Sequence, residues 1–162
     1  MSDILCDDSW MGNCAKYQLN SGGKRFRAIL ALLASKIFGL SKQVSHDIAI
    51  CCEFIHNASL IHDDLQDRDL LRRGLPTIWN RFGDHTAINL GDLFISASFE
   101  IISKIKTRPD LKCLAIEELS KTIKQKLKGK SIEILSRSDF NLKMEDYEST
   151  ARAKTGGLIS LP

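Results

Sequence analysis

No run of apolar residues in this chain approaches the length of a membrane span. None of its five cysteines forms a C-x-x-C pair, and their odd number speaks against a disulfide framework. Cys51 and Cys52 fall inside an apolar helical pattern and read as buried thiols. The opening residues, MSDILCDDSW, are acidic and lack the apolar core of a signal peptide. A net charge of +3 is too small to point to nucleic acid or an acidic membrane. Lys121, Lys124, Lys126, Lys128 and Lys130 do form a basic run, but no aromatics are interleaved with it, so it reads as a solvated helix face. There is no strand alternation, internal repeat or low-complexity segment. These absences leave a soluble globular protein of a reducing compartment, expected in the cytoplasm, without nucleic acid or a membrane span as a partner.

What is present is helical periodicity. The 162 residues suffice for one domain, expected to be 1–162, and 43% hydrophobic with 27% charged residues is ordinary for a globular chain. Residues 1–21 are weakly patterned and are expected to hold at most a short or frayed, poorly ordered helix. Ser21-Gly22-Gly23 is a turn signal. From Lys24 the apolar positions Phe26, Ile29, Leu30, Leu33 and Ile37 keep helical spacing, and Gly39 ends that helix. Ser45 is the expected cap of the next helix, which runs from His46 to about Asp67 and is apolar on most sides. Such a helix belongs in the middle of a bundle. Gly74, Pro76 and Gly83 mark a connection, and Asp84 is placed to cap a helix reaching about Lys106. Arg108-Pro109-Asp110 breaks the chain before another helix, with the apolar pattern continued by a segment from Ile132 to Ser136. A loop over 138–144 and a last helical stretch from Met144 complete an all-α bundle of long helices. The chain stops soon after that stretch begins, so a truncated, front part of a larger domain is expected.

The stretch from Glu53 to Gly74, EFIHNASLIHDDLQDRDLLRRG, carries the chemistry. At about 100° per residue, His56, Leu60, Asp63 and Asp67 point within roughly 20–40° of one line, with Asp64 to one side. Like charges at this spacing repel, so a helix built only for stability has reason to avoid them. Carboxylate faces suit Mg²⁺, which keeps several waters and takes further oxygens from a phosphate. Arg72 and Arg73 follow, and guanidinium groups grip phosphate oxygens bidentately. The plainer reading is a solvated acidic helix end followed by a basic turn.

Upstream, Gly22-Gly23-Lys24-Arg25-Phe26-Arg27 places cations at a helix N-terminus, where free N–H groups and the dipole favour phosphate. A nucleotide P-loop is excluded, because Lys24 is followed by Arg25 and no strand precedes the glycines. Lys154-Thr155-Gly156-Gly157 adds a cation and a hydroxyl on the last helical stretch. A His-Asp metal phosphohydrolase would use His62 with Asp63, but His62 points away from the Asp63/Asp67 face.

Together the segments GGKRFRAIL, EFIHNASLIHDDLQDRDLLRRGLPT, GDLF and RAKTGGL resemble those of the trans-isoprenyl diphosphate synthases, the polyprenyl synthetase family. They span Gly22 to Leu158, and D-D-x-x-D followed closely by R-R-G is a specific pairing. The resemblance implies an all-α isoprenoid-synthase fold, a homodimer or heteromer, and Mg²⁺-dependent head-to-tail condensation of isopentenyl diphosphate with an allylic prenyl diphosphate. It implies Asp63 and Asp67 as ligands of Mg²⁺ on the allylic diphosphate, with Asp64 in support. Arg72, Lys154 and Thr155 would hold that diphosphate, and Asp63, Asp67, Arg72 and Lys154 would form the catalytic set. Lys24, Arg27, His56 and Arg73 would hold isopentenyl diphosphate. Ala58 and Ser59, small residues just before the acidic motif, would leave room for a growing prenyl chain.

Three departures from the family pattern stand out. Ala28 occupies a position where the family usually has proline. Gly129-Lys130-Ser131-Ile132-Glu133 replaces a common G-Q-x-x-D pattern. The family's second aspartate-rich motif has no counterpart before Pro162, so poor turnover is expected of the chain alone. That last point keeps open a second role, as a non-catalytic partner subunit of a heteromeric synthase. A terpene cyclase shares the acidic motif but has no use for the upstream cations.

Overall fold

A computed structural model of the chain describes residues 8–136. It contains helices α1 (Trp10–Asn20), α2 (Phe26–Ile37), α3 (Lys42–Asp67), α4 (Ile78–Phe82), α5 (Asp84–Lys104) and α6 (Pro109–Ser136). A two-residue antiparallel hairpin, β1 (Leu71–Arg72) with β2 (Leu75–Pro76), lies between α3 and α4. The expected all-α architecture is present. The loop over 138–144 and the last helical stretch, with Lys154 and Thr155, lie outside the described residues. No helix among the described residues is long and apolar enough to cross a membrane.

Two compact units are distinguished, Met1–Lys104 and Ile105–Pro162. In the first, α3 packs against α5 on one side and α2 on the other, while α4 touches both α3 and α5. The α3–α5 seam is apolar: Phe54 and Phe94 are buried with ring centroids 5.1 Å apart. Burying two such rings contributes about 2 kcal/mol each relative to exposure. Cys51 and Cys52 lie in the same core, where burial pushes both thiols up to about 12 and leaves them inert at neutral pH. The weakly patterned N-terminus forms α1, whose Ser9 cap accepts from the Gly12 amide at 3.0 Å and whose Cys14 and Ala15 are fully buried.

Helix α2 forms where its periodicity predicts, but with a different face inward. Ala31 and Ser35 are buried, whereas Phe26, Ile29, Leu33 and Ile37 are exposed. Small side chains let α2 lie close against α3, and the large ones are turned out. Its end is a Schellman motif: Gly39, at φ 68°, donates to the Lys36 carbonyl and Leu40 to that of Ser35. In the second unit α6 is one continuous helix through Ser136, with Pro109 at its start, so Ile132 to Ser136 is not a separate segment.

Two expected caps are corrected. Helix α3 begins four residues before His46, capped by Ser41, whose hydroxyl accepts from the Val44 amide at 3.4 Å. Ser45 lies inside the helix and its hydroxyl donates back to the Ser41 carbonyl at 2.9 Å. Asp84 is the first residue of α5 rather than the residue before it, and its carboxylate accepts from Arg68 at 2.8 Å. Loss of the Ser41 cap in Ser41→Ala should cost about 1 kcal/mol of unfolding free energy in urea titrations. Ser45→Ala should cost less, since it removes only a back-bond to the helix itself. A larger loss at Ser45 than at Ser41 would contradict the observed helix start.

Candidate functional site

The acidic motif occupies the last two turns of α3, and the chain reverses immediately after it. Arg68 takes the left-handed conformation at φ 58°, and Asp69 donates its amide to the Asp64 carbonyl at 3.0 Å. The hairpin that follows is held from several sides. Thr77 Oγ1 donates to the Asp69 carbonyl at 2.8 Å, Trp79 Nε1 to the same carbonyl at 2.9 Å, and Asn80 Nδ2 to that of Leu70 at 3.0 Å. From α1, Tyr17 donates its hydroxyl proton to the Pro76 carbonyl at 2.7 Å. A short hairpin with this many anchors presents its side chains in a defined direction.

Its two arginines go opposite ways. Arg72 turns back to α3, where its Nε donates to Asp64 Oδ1 at 2.7 Å and its Nη2 donates to the same oxygen. Asp64 is 2% exposed. Burial raises its pKa, and the Arg72 hydrogen bonds and charge pull it only part of the way back. Arg73, at φ 55°, reaches instead to the Gly22–Gly23 loop and donates to the Gly22 carbonyl. Gly22 and Gly23 both sit at positive φ, 88° and 128°. A Cβ on Gly23 would lie 2.8 Å from the guanidinium carbon of Arg73, so a larger residue would displace that side chain, and the φ of 128° itself favours glycine.

A cavity of about 880 Å³ opens between α2 and α3, and Lys24, Arg27, His56 and Arg73 all border it. Residues from three separate parts of the chain are thereby brought together. Glu53 and Asn57 border it as well. Asn57 accepts from Gln18 Nε2 at 3.1 Å in a buried hydrogen bond that ties α1 to this wall. Glu53 Oε1 accepts from the Ala28 amide at 3.2 Å. This role of Glu53 has only one signal in the sequence, a carboxylate one turn before His56 on a largely apolar helix.

Asp63, Asp64, Asp67 and Arg72 are not among the residues bordering that cavity. Asp63 and Asp67 are half-buried on α3. Among the described residues, no three His, Cys, Asp or Glu side chains are grouped to hold a metal ion. The remaining donors, Asp63 and Asp67, are oxygen only and a little over one turn apart. That set fits a hard cation completed by water and phosphate oxygens, as Mg²⁺ prefers, and not an ion held by protein alone. His62 faces α5, with Nε2 3.4 Å from the Ile88 carbonyl and 3.7 Å from Asp92 Oδ1. Gly91 provides the space for its ring. His62 is thus a contact between α3 and α5, away from Asp63. Ala58 is buried in α3, and Ser59 donates its hydroxyl proton to the His56 carbonyl at 2.8 Å.

The polyprenyl synthetase family model matches residues 8–162. A farnesyl diphosphate synthase from Haemophilus influenzae is 37% identical over 149 residues, 89% of this chain and 50% of that protein. The structure of a geranylgeranyl pyrophosphate synthetase from the archaeon Geoglobus acetivorans is similar with a TM-score of 0.90 at 30% identity, over 98% of this chain and 52% of that one. A polyprenyl synthase from Caulobacter crescentus, complexed with calcium and isoprenyl diphosphate, is similar with a TM-score of 0.87 at 26% identity, over 98% of this chain and 47% of that one. The chain spans about half the length of the curated relatives it matches.

The Asp64–Arg72 pair has a testable signature. Arg72→Met leaves a buried carboxylate uncompensated, which should cost about 3 kcal/mol at pH 7. The sign of the pH dependence follows from the raised Asp64 pKa. The native state binds the Asp64 proton more tightly than the unfolded chain, so this group's contribution is most favourable at low pH and is lost as pH rises through the folded value. The variant, lacking its counter-charge, has the higher folded pKa of the two. Its deficit relative to wild type in urea titrations should therefore narrow on acidification, starting above the ordinary carboxylate range. A deficit independent of pH would show that Arg72 stabilises by packing alone.

Proposed function

The chain belongs to the polyprenyl synthetase family, and on that premise we propose that it serves the head-to-tail condensation of isopentenyl diphosphate with an allylic prenyl diphosphate. The observation that carries this reading is the cavity bordered by Lys24, Arg27, His56 and Arg73. Three permanent cations and an imidazole drawn from the α1–α2 loop, α2, α3 and the hairpin suit a diphosphate. The apolar side chain of Ile50 in the same wall suits a short isoprenoid tail.

The two diphosphates are held separately in this proposal. Lys24, Arg27, His56 and Arg73 bind isopentenyl diphosphate. Arg72, joined by Lys154 and Thr155, binds the allylic diphosphate beside the acidic motif, and Asp64 holds the Arg72 guanidinium in place. Asp63 and Asp67 hold Mg²⁺, which when bound neutralises negative charge on the allylic diphosphate. Cationic side chains fixed before the reaction stabilise the charge that develops on that diphosphate as its bond to carbon breaks. The isopentenyl double bond supplies the electrons of the new carbon–carbon bond, and the proton then lost goes to the departed diphosphate. Apolar walls keep water from the allylic cation in the interval.

Calorimetry separates the two halves of this reading. Mg²⁺ should bind the chain weakly alone and more tightly once an allylic diphosphate analogue is present, because two carboxylates leave most of the octahedral shell open. Micromolar Mg²⁺ affinity without any diphosphate would contradict the shared site. Isopentenyl diphosphate should bind without Mg²⁺, and Lys24→Ala or Arg73→Ala should each weaken it about tenfold, the scale of one charge-assisted hydrogen bond. Unchanged affinity in both variants would refute the cavity as its site.

A further inference from the structure

Resting on the isopentenyl diphosphate reading of the cavity, we propose that Glu53 is a positioning residue for its cations, acting through the N-terminus of α2. That helix starts without a side-chain cap of its own: Arg25 stands at the cap position in a left-handed conformation, φ 47°, and its side chain makes no capping bond. The first amides of a helix lack partners within it. Here the Ala28 amide is satisfied from outside, by Glu53 Oε1 of α3 at 3.2 Å, across 25 residues of chain. Proline at position 28 would have no N–H to give, so the bond requires a residue other than proline there.

The bond lies between the elements that carry the cations. Lys24 and Arg27 flank the start of α2 on the side of the cavity. Arg27 Nε is buried and has no hydrogen-bond partner among the described residues. That nitrogen gains no hold from a partner, and the backbone of Arg27 lies one residue from Ala28, which Glu53 holds. The loop before it contains Gly22 and Gly23, the two residues with the greatest backbone freedom. Arg25 Nη2 donates to the Leu19 carbonyl at 3.1 Å and anchors that loop to the end of α1. Glu53 supplies the complementary anchor to α3, where His56 lies one turn further on.

A carboxylate beside an anion site would ordinarily repel the ligand. At the end of α2 its charge is instead directed at a helix N-terminus, where a negative charge is favourable. The positioning role and the repulsive role therefore predict opposite effects of removing Glu53, which makes the proposal decidable.

The test is inorganic pyrophosphate binding to the 162-residue chain, by calorimetry, with thermal unfolding of each variant. Glu53→Ala should weaken binding about tenfold. Glu53→Gln, which keeps an acceptor oxygen for the Ala28 amide, should restore it to within about threefold of wild type. In an Ala28→Pro background no amide is left to accept from, and Glu53→Ala should cause no further weakening. Tighter or unchanged binding by Glu53→Ala, with Arg73→Ala still weakened, would overturn the proposal and leave the cavity reading intact. Equal losses in Glu53→Ala and Glu53→Gln, following their unfolding temperatures, would also overturn it, since Glu53 would then act through stability alone. Absence of pyrophosphate binding by the wild-type chain would remove the cavity reading and the proposal with it.

Discussion

The buried pair between Asp64 and Arg72 sets the geometry on which the candidate site depends. A carboxylate with almost no exposure is costly unless a counter-charge meets it with good hydrogen bonds. Arg72 can meet it only if the chain reverses directly after α3, and the left-handed Arg68 together with the Asp69–Asp64 backbone bond makes that reversal. Once Arg72 is committed to α3, its neighbour Arg73 is carried across to the Gly22–Gly23 loop. One ion pair thus gives two adjacent arginines different surroundings, one beside the acidic motif and one in the cavity.

The cavity is shaped by absences of side chain as much as by contacts. Glycine at 23 admits the Arg73 guanidinium, and Ala31 and Ser35 let α2 lie against α3. Polar ties then fix the pieces: Gln18 to Asn57, Arg25 to the Leu19 carbonyl, and Glu53 to the Ala28 amide. Each pays part of the conformational entropy of holding three chain segments in one register. The proposed diphosphate site is the product of these ties and of permanent charge on Lys24, Arg27 and Arg73.

Much of this was legible in the residues. The 3.6-residue pattern locates α2, α3 and α5, and the succession of acid and base from Asp63 to Arg73 is the signal for phosphate chemistry in the sequence. Where structure and pattern differ, a local signal has two solutions. Ser41 and Ser45 are the same residue type one turn apart, and only the position of the first helical amides tells a cap from a back-bond. The hairpin strands are two residues each, too short to show alternation. The apolar spacing of α2 located the helix but not its inner face, which small residues occupy. The Asp64–Arg72 pair spans eight residues across a helix end and a turn, beyond any helical periodicity, and Glu53 to Ala28 depends on how two helices pack. Such contacts belong to tertiary structure and leave no spacing to read.

The central claim is that Lys24, Arg27, His56 and Arg73 form one anion site distinct from the acidic motif. A crystal structure of the chain soaked with isopentenyl diphosphate tests it most directly. The account predicts the diphosphate in the α2–α3 cavity, within hydrogen-bond reach of at least two of those four side chains, with Arg72 still paired to Asp64. A diphosphate bound only at Asp63 and Asp67, or on a surface away from all four side chains, would contradict it.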